Sequence, residues 1–167
     1  MHASMSVKKL FHSLESAQLT LVTAESLTGG LIGSEITSIP GSSGLYWGGI
    51  VTYSADAKIR LLGVDPLIID DYGVVSKEAV EAMAAGALAV SGADISIAVS
   101  GIAGPSGGTE DTPVGTVWIA TARRSPGSID IPGVQSICRH FKGSRERIRS
   151  ATVSAAASLA ITHLDSV

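Results

Sequence analysis

Cysteine, aromatic residues and charged residues are all scarce in this sequence, and each shortage excludes a class of protein. Cys138 is the only cysteine among 167 residues, so no intramolecular disulfide can form and a cysteine-built metal site is not expected. Charged residues make up 16% of the chain and the formal net charge is −3, which disfavours a broad phosphate-contacting surface for nucleic acid. Aromatic residues make up only 4%, so the core must be built from Ala, Val, Ile and Leu.

Long apolar runs are also missing. No stretch of about 18 apolar residues occurs, so neither a membrane span nor a membrane partner is expected. The first ten residues lack the apolar segment of a secretion signal. Together with the single cysteine, these features favour a cytoplasmic location. A length of 167 residues fits a single domain over residues 1–167, with residues 1–5 expected to be disordered.

Motifs for metals, cofactors and nucleotides are absent as well. The chain has no HExxH, no DxD cluster, no P-loop and no dinucleotide fingerprint. Its four histidines lie at the edges of predicted elements, so neither a Ser-His-Asp triad nor a catalytic metal is expected. No cofactor is expected either. The histidines are His2, His12, His140 and His163.

Helical and strand patterns alternate along the chain. One pair of strands is joined by a loop instead of a helix. The pattern therefore predicts a three-layer α/β/α sandwich with a mostly parallel sheet and at least one antiparallel strand. Ser54, Ser76 and Ser144 are expected to begin helices, and Gly63 to end one. Helices are predicted over residues 6–17, 30–39, 55–63, 77–91 and 142–164, and strands over 19–25, 45–54, 93–101, 114–123 and 134–141. Loops are predicted over residues 64–76 and 102–113, and a turn or exposed connection over residues 124–133.

The segment AESLTGG at residues 24–30 places Ser26 where a buried strand gives way to a helix. Ligands of open α/β sheets bind beyond the carboxyl ends of the strands. Gly29 and Gly30 would let a substrate approach the backbone closely. The amides at the helix start, from Thr28 onward, could hold a phosphate or a developing oxyanion. The alternative is a capped strand-to-helix turn that binds nothing.

Lys58 follows the second strand, one helical turn beyond Ser54. The positive end of the helix dipole and burial would both lower its pKa. A lysine made neutral in this way can act as general base for a serine. Tyr53 could hydrogen-bond such a pair. The alternatives are a solvated surface lysine and a half-buried strand tyrosine.

A glycine-rich loop and an arginine complete the candidate site. Ser100 and Gly101 end the third strand, and the loop that follows could cover a substrate or bind an anion with its amides; the alternative is an ordinary surface loop. Arg145 begins the last helix, where a cation is unfavourable for the dipole, so a substrate phosphate would offset it. The alternative is a solvated charge paired with Glu146 or Glu15.

Five motifs, taken in order, resemble the CinA C-terminal domain family from about residue 6 to residue 163. Members of that family include stand-alone nicotinamide-nucleotide amidases, and the family's N-terminal molybdopterin-binding-like domain has no counterpart in this sequence, so the chain resembles the stand-alone form. The family's fold is a three-layer α/β/α sandwich with a mixed five-stranded sheet. The motifs are TAESLTGG, GGIVTYSADAK, GVVSKEAVEAMAAGA, SGIAGPSGGTEDTPVGTVWIA and FKGSRERIR.

The resemblance implies hydrolysis of nicotinamide mononucleotide to nicotinate mononucleotide and ammonia, in pyridine-nucleotide salvage. Ser26 matches the nucleophile, Lys58 the base and Tyr53 a supporting hydroxyl. Many relatives read ESCTGG, whereas Leu27 stands here, so a cysteine nucleophile at that position is excluded. The substrate-cradling positions that the family implies, with phosphate binding at Arg145 as our own assignment, are Thr28, Gly29, Gly30, Ser100, Gly101, Ala103, Gly104 and Arg145.

Two further expectations concern the function class and the assembly. A non-catalytic nucleotide-binding or regulatory module, linked to competence or the DNA-damage response, is the alternative to an amidase. A small-molecule nucleotide is the expected partner in both cases. The mean hydropathy of +0.36 is high for a small domain, which favours a homo-oligomer.

Overall fold

The computed structural model describes residues 3–124 and 133–166, which form five strands and six α-helices; the five strands and five of the helices follow the predicted order, and α4 was not predicted. A short 3-10 helix, Ser42–Gly44, lies within the loop before β2. The strands are β1 Leu21–Glu25, β2 Tyr46–Val51, β3 Ile95–Gly101, β4 Thr116–Arg123 and β5 Gly133–His140. The helices are α1 Met5–Ala17, α2 Leu31–Thr37, α3 Ala55–Leu62, α4 Pro66–Tyr72, α5 Lys77–Ser91 and α6 Arg145–Asp165.

The five strands form one mixed sheet in the order β2-β1-β3-β4-β5. β1 pairs in parallel with both β2 and β3, whereas β4 is antiparallel to β3 and to β5. Only β4 therefore runs against the other four. This confirms the predicted mixed, mostly parallel sheet of a three-layer sandwich. The loop over residues 102–113 joins the antiparallel pair β3 and β4 without a helix, as predicted.

The two faces of the sheet carry side chains of different size, and this difference fixes which helices pack where. Branched residues of the three central strands, such as Ile97 and Ile119, face the layer of α1, α2 and α6. Alanines such as Ala98 and Ala120 face the layer of α3, α4 and α5. Because the contacting residues of this sheet face and of the Ala-rich α5 are both small, α5 approaches the sheet closely.

Helix ends follow the predicted capping residues. The side chains of Ser54, Ser76 and Ser144 each accept a hydrogen bond from the amide three residues later, at the starts of α3, α5 and α6. Gly63 follows the end of α3 with φ +66°, a conformation that glycine adopts without strain. These ends depend on local chemistry, which is why the sequence specifies them well.

The predicted loop over residues 64–76 was wrong in part, because α4 occupies Pro66–Tyr72. None of the α4 residues is fully buried, so the segment lacks the strong apolar pattern of a core helix. The signal was nevertheless present at its start. Asp65 caps the helix by accepting from the Leu67 amide, and Pro66 occupies its first position.

Residues 1–5, which we expected to be disordered, divide into two groups. Residues 1 and 2 lie outside the described residues, as does most of the predicted turn at 124–133. Ser4 caps α1, and its own amide donates to Glu35 Oε2 at 2.9 Å, so residues 3–5 hold defined positions. The single domain over residues 1–167 stays a prediction.

Candidate active site

Three strand ends meet at one edge of the sheet. Because β2, β1 and β3 are neighbours and run parallel, the segments that follow them emerge side by side. They surround a pocket of about 320 Å³. Thr28, Gly29 and Gly30 do not line this pocket. The predicted residues that do line it are Ser26, Tyr53, Lys58, Ser100, Gly101, Ala103, Gly104 and Arg145.

Ser26 directly follows the last residue of β1 and is held by the neighbouring strand. Its amide donates to the Val99 carbonyl of β3 at 3.1 Å, which extends the pairing of the two strands by one residue. The side chain is only 8% exposed. Its hydroxyl does not cap α2, whose first position has no side-chain cap. Ser26 therefore does not act as the cap of this turn.

A buried carboxylate occupies the start of α2. Glu25 is 1% exposed and accepts hydrogen bonds from the amides of Gly30, Ile32 and Gly33 at 2.9–3.1 Å. The Gly29 amide donates to the Ser26 carbonyl at 3.0 Å. The helix start therefore does not offer the free amides of Gly29 and Gly30 that the sequence suggested, since both already have acceptors within the protein.

Two amides of the same turn remain. Those of Leu27 and Thr28 have no acceptor within residues 3–124 and 133–166. Leu27 also lines the pocket. The Thr28 hydroxyl is fully buried and likewise lacks a described partner. If an oxyanion forms on a group bound to Ser26, these amides are the nearest unpaired donors along the chain.

Lys58 reaches Ser26 from the first turns of α3. Its Nζ lies 3.1 Å from Ser26 Oγ and donates to the Thr52 carbonyl at 2.8 Å. The side chain is only 1% exposed. The alternative of a solvated surface lysine is therefore wrong. A neutral amine that donates one N–H to Thr52 has its lone pair free to accept the Ser26 proton.

The environment of Lys58 favours the neutral amine. No carboxylate forms an ion pair with it in the described part of the chain. Burial lowers the pKa of Lys58 to about 8, because the ammonium loses hydration that nothing of opposite charge replaces. The two predicted causes were burial and the helix dipole, and burial is the one that accounts for the shift. A pKa near neutrality suits a general base.

Tyr53 and Arg145 contact each other at the mouth of the pocket. Arg145 Nη2 donates to Tyr53 Oη at 2.8 Å, and Nη1 donates to the Gly104 carbonyl at the same distance. Tyr53 is 61% exposed, and the described contacts link its hydroxyl to Arg145, not to Ser26 or Lys58. Arg145 forms no described ion pair with Glu146 or Glu15, so the surface-pair alternative is not realised.

The glycine-rich loop after β3 closes one side of the pocket. Ser100 Oγ donates to the Val74 carbonyl at 2.6 Å, which ties the strand end to the segment before α5. A Cβ on Gly101 would lie 2.7 Å from the Thr116 carbonyl oxygen, so the backbone approaches too closely for any side chain. Gly104 has φ +75° and is held by Arg145. The loop is therefore tied to the rest of the site at several points.

Arg149 is a residue that the sequence reasoning missed. Its Nε and Nη2 donate to the carbonyls of Leu27 and Thr28 at 3.1 and 2.6 Å. It belongs to the same FKGSRERIR motif as Arg145, four positions later on α6. Two arginines four residues apart lie on one face of a helix. This spacing could have suggested that both point toward the strand ends.

The charge of the pocket favours an anionic ligand. Lys58 and Arg145 both line it, and no Asp or Glu side chain belongs to the lining that the structure describes. Within the same residues, no group of three or more His, Cys, Asp or Glu side chains could hold a metal ion. No helix of residues 3–124 and 133–166 has the length and apolarity required to cross a membrane.

Comparisons with known proteins place this chain among its relatives. The family model described as CinA C-terminal domain matches residues 4–164. "Nicotinamide-nucleotide amidohydrolase PncC" of Shewanella oneidensis is 47% identical over 150 residues, 89% of this chain and 34% of that protein. A "CinA-like protein" of Chlorobaculum tepidum is 55% identical over 109 residues, 65% of this chain and 26% of its own length. The chain thus spans between about a quarter and a third of the length of these curated relatives.

Solved structures match over almost their whole length. The competence/damage inducible protein CihA from Agrobacterium tumefaciens has a TM-score of 0.87 and 37% identity, with 98% of both chains covered. A CinA superfamily protein from Klebsiella pneumoniae has a TM-score of 0.88 and 32% identity, with 96% of both chains covered. The strand order, the motifs around Ser26 and these matches agree, and the chain belongs to the CinA C-terminal domain family.

Proposed function

We propose that this chain is an amidohydrolase that converts nicotinamide mononucleotide to nicotinate mononucleotide and ammonia in pyridine-nucleotide salvage. The observation that carries the proposal is the buried Lys58 amine, which lies 3.1 Å from Ser26 Oγ and has no carboxylate partner among residues 3–124 and 133–166. The relative named nicotinamide-nucleotide amidohydrolase supports the choice of substrate. The pocket volume of about 320 Å³ is in the range of small-molecule sites.

The first half of the reaction forms an acyl-enzyme. Lys58 Nζ accepts the hydroxyl proton of Ser26 while Oγ bonds to the carboxamide carbon. The resulting oxyanion takes hydrogen bonds from backbone amides of the Ser26 turn or the Ser100 loop, a contribution of about 3–4 kcal/mol for one such donor. The carbon–nitrogen bond then breaks as the Lys58 ammonium protonates the departing nitrogen, which leaves as ammonia.

The second half releases the acid. Water attacks the ester carbon while neutral Lys58 accepts one of its protons. The bond to Ser26 Oγ breaks, Lys58 returns the proton to Oγ, and nicotinate mononucleotide is released as the acid, which loses its remaining proton to water and becomes the carboxylate. The Thr52 carbonyl holds Lys58 Nζ throughout both halves, so one amine serves each proton transfer in turn.

Arg145 is proposed to bind the substrate phosphate. Its guanidinium is fixed at the pocket mouth by Tyr53 and Gly104, and a planar guanidinium suits a phosphate. Tyr53 thereby supports the site through Arg145. The backbone of Gly101, Ala103 and the neighbouring loop residues would cover the remainder of the ligand. Substrate contacts of Thr28, Gly29 and Gly30 stay predictions.

Ammonia release from nicotinamide mononucleotide tests the proposal. Ser26→Ala and Lys58→Ala should each abolish the release while the far-UV circular dichroism stays unchanged. Ser96→Ala is a matched control, because this buried serine donates to the Ala84 carbonyl away from the pocket. Full activity in Ser26→Ala would exclude the covalent mechanism. Tight binding of the mononucleotide without ammonia release by the unmodified chain would favour the non-catalytic module instead.

We also propose that the chain forms a homo-oligomer. The edge strand β2 carries no charged residue, and Trp47 and Val51 on it are 53% and 45% exposed. Uncharged edges with exposed apolar side chains favour association. Sedimentation velocity should show an assembly that Trp47→Lys weakens. A monomer at all concentrations contradicts this proposal. The cytoplasmic location stays a prediction.

A further inference from the structure

The turn that follows Ser26 is held by a cation from a distant part of the chain. Arg149 of α6 donates to the Leu27 carbonyl at 3.1 Å and to the Thr28 carbonyl at 2.6 Å. These residues are 122 and 121 positions away from it in sequence. Arg149 is half-buried and does not line the pocket. Its contacts are therefore made to the turn itself and not to a ligand in the pocket.

The carboxylate of Glu25 binds the other end of this turn, where α2 begins. Glu25 accepts from the amides of Gly30, Ile32 and Gly33, while Arg149 donates to two carbonyls. The two groups form no ion pair with each other within the described residues. The guanidinium charge is thus directed at peptide carbonyls, where it forms charge-assisted hydrogen bonds.

The direction of these hydrogen bonds determines where the Thr28 amide points, which has no acceptor within the described residues. The peptides of this turn are trans, since the cis bond described is Gly104–Pro105. In a trans peptide the N–H points away from the carbonyl of the same unit. The Leu27 carbonyl points toward Arg149, so the Thr28 N–H of that unit points away from it. A cation on the carbonyl also polarises the unit and strengthens the N–H as a donor.

We propose that Arg149 is a positioning residue for oxyanion stabilisation. It fixes the Leu27–Thr28 peptide so that the Thr28 amide, which has no acceptor within residues 3–124 and 133–166, is held ready to donate to the oxyanion that forms when Ser26 attacks a carbonyl. Such preorganised donors need no rearrangement during the reaction. This inference rests on the proposed role of Ser26 as nucleophile, but it does not depend on which carboxamide compound is the substrate.

Two measurements test it. The first is kcat and KM for ammonia release from nicotinamide mononucleotide by the unmodified chain, Arg149→Ala and Arg149→Lys. The second is the rate at which Ser26 is labelled by a fluorophosphonate. In that step Oγ bonds to phosphorus, fluoride leaves, and Lys58 takes the serine proton. Arg147→Ala is the matched control, because Arg147 is exposed on the same helix two residues earlier.

Arg149→Ala should lower kcat by about 10²-fold or more, as expected for loss of an oxyanion donor, with a much smaller change in KM. Arg149→Lys should fold and still lose most of kcat, because an ammonium lacks the rigid fork that reaches two carbonyls. Added guanidinium ion should restore part of the activity of Arg149→Ala and none of that of Ser26→Ala. Labelling rates should fall in parallel. Arg147→Ala should keep the unmodified values.

The outcomes separate the two proposals. If the unmodified chain releases no ammonia but Ser26 is labelled, the proposed substrate is wrong and the labelling rates still decide the role of Arg149. If Arg149→Lys folds and has the same kcat or the same labelling rate as the unmodified chain, the positioning role is overturned. Failure of the fluorophosphonate to label Ser26 in the unmodified chain overturns it as well. If Arg149→Ala does not fold, kcat and the labelling rate of Arg149→Lys alone decide whether Arg149 has the positioning role.

Discussion

Replacement of Lys58 with methionine should change the stability of the protein in a way that depends strongly on pH. Lys58 is 1% exposed and has no carboxylate partner within the described residues. Its ammonium is therefore disfavoured in the folded state but not in the unfolded chain, where water surrounds it. Methionine has a similar length and shape and carries no charge, so it removes this penalty without leaving a large cavity.

The magnitude follows from the pKa, which burial lowers from 10.5 to about 8. One pKa unit corresponds to about 1.4 kcal/mol, so the penalty is about 3 kcal/mol at pH 7, below both values. Between pH 8 and pH 10.5 the unfolded chain binds a proton that the folded chain has released, and stability therefore rises with pH in this window. At pH 10 the penalty has fallen to about 1 kcal/mol or less.

A second effect of the substitution does not depend on pH. Methionine cannot donate to the Thr52 carbonyl, which then loses the hydrogen bond that Lys58 supplies at 2.8 Å. An unsatisfied buried acceptor costs about 1–3 kcal/mol. The comparison is the free energy of unfolding of Lys58→Met minus that of the unmodified chain. This difference should be about 2.5 kcal/mol larger at pH 7 than at pH 10. The lost hydrogen bond to Thr52 changes both values equally and so does not affect this result.

Urea unfolding at pH 7 and pH 10 measures this difference. Lys8→Met is the matched control, because Lys8 is exposed on α1 and its ammonium remains in water in both states. The control should show the same difference in stability from the unmodified chain at both pH values. If Lys58→Met behaves like the control, Lys58 is not a desolvated amine and its proposed role as general base loses its physical basis. Lys58→Met should in any case release no ammonia.

Three further outcomes are expected. The log of kcat/KM for ammonia release should rise with pH and reach a plateau above about 8, because Lys58 must be neutral to accept a proton; a flat profile from about pH 6 to 9 would contradict this. Arg145→Met should raise KM for the mononucleotide far more than it lowers kcat, and should affect an amide without phosphate little. Gly86→Ala should destabilise the fold by about 1–3 kcal/mol, because its Cβ would lie 2.0 Å from the Leu62 carbonyl oxygen where α5 crosses α3. Gly44→Ala, which meets open space, is the control for unfolding in urea.

The local part of the fold could be predicted because its determinants lie within a few residues of each other. The caps at Ser54, Ser76 and Ser144 depend on a hydroxyl and an amide three positions apart. The apolar periods of the strands and of α5 fix their extents to within a few residues. α4 was missed because its exposed residues supply no such period, although Asp65 and Pro66 marked its start.

For the candidate site, only the grouping of its residues at one edge of the sheet could be predicted, because the topology of the strands determines it. Ser26 and Lys58 follow β1 and β2, and Ser100 lies at the end of the neighbouring parallel strand β3, so the strand order alone brings the three residues to one edge of the sheet. The partner of Tyr53 was not predictable from topology, because it is an arginine 92 residues away. The occupation of the α2 start by Glu25 was also missed, since the sequence around a buried carboxylate beside Ser26 has no pattern that distinguishes it from a surface one.

The sequence by itself determined the elements, their alternation, the edge of the sheet at which polar residues gather and the family to which these motifs point. Only the tertiary structure decided the chemistry of individual groups there. Packing of α3 against the strand ends made Lys58 a buried amine that has no counter-ion in the part of the chain that the structure describes. Packing of α6 brought Arg149 to the Ser26 turn. The physical reason is that a pKa or a hydrogen bond depends on all atoms within a few ångströms, and here those atoms come from segments far apart along the chain.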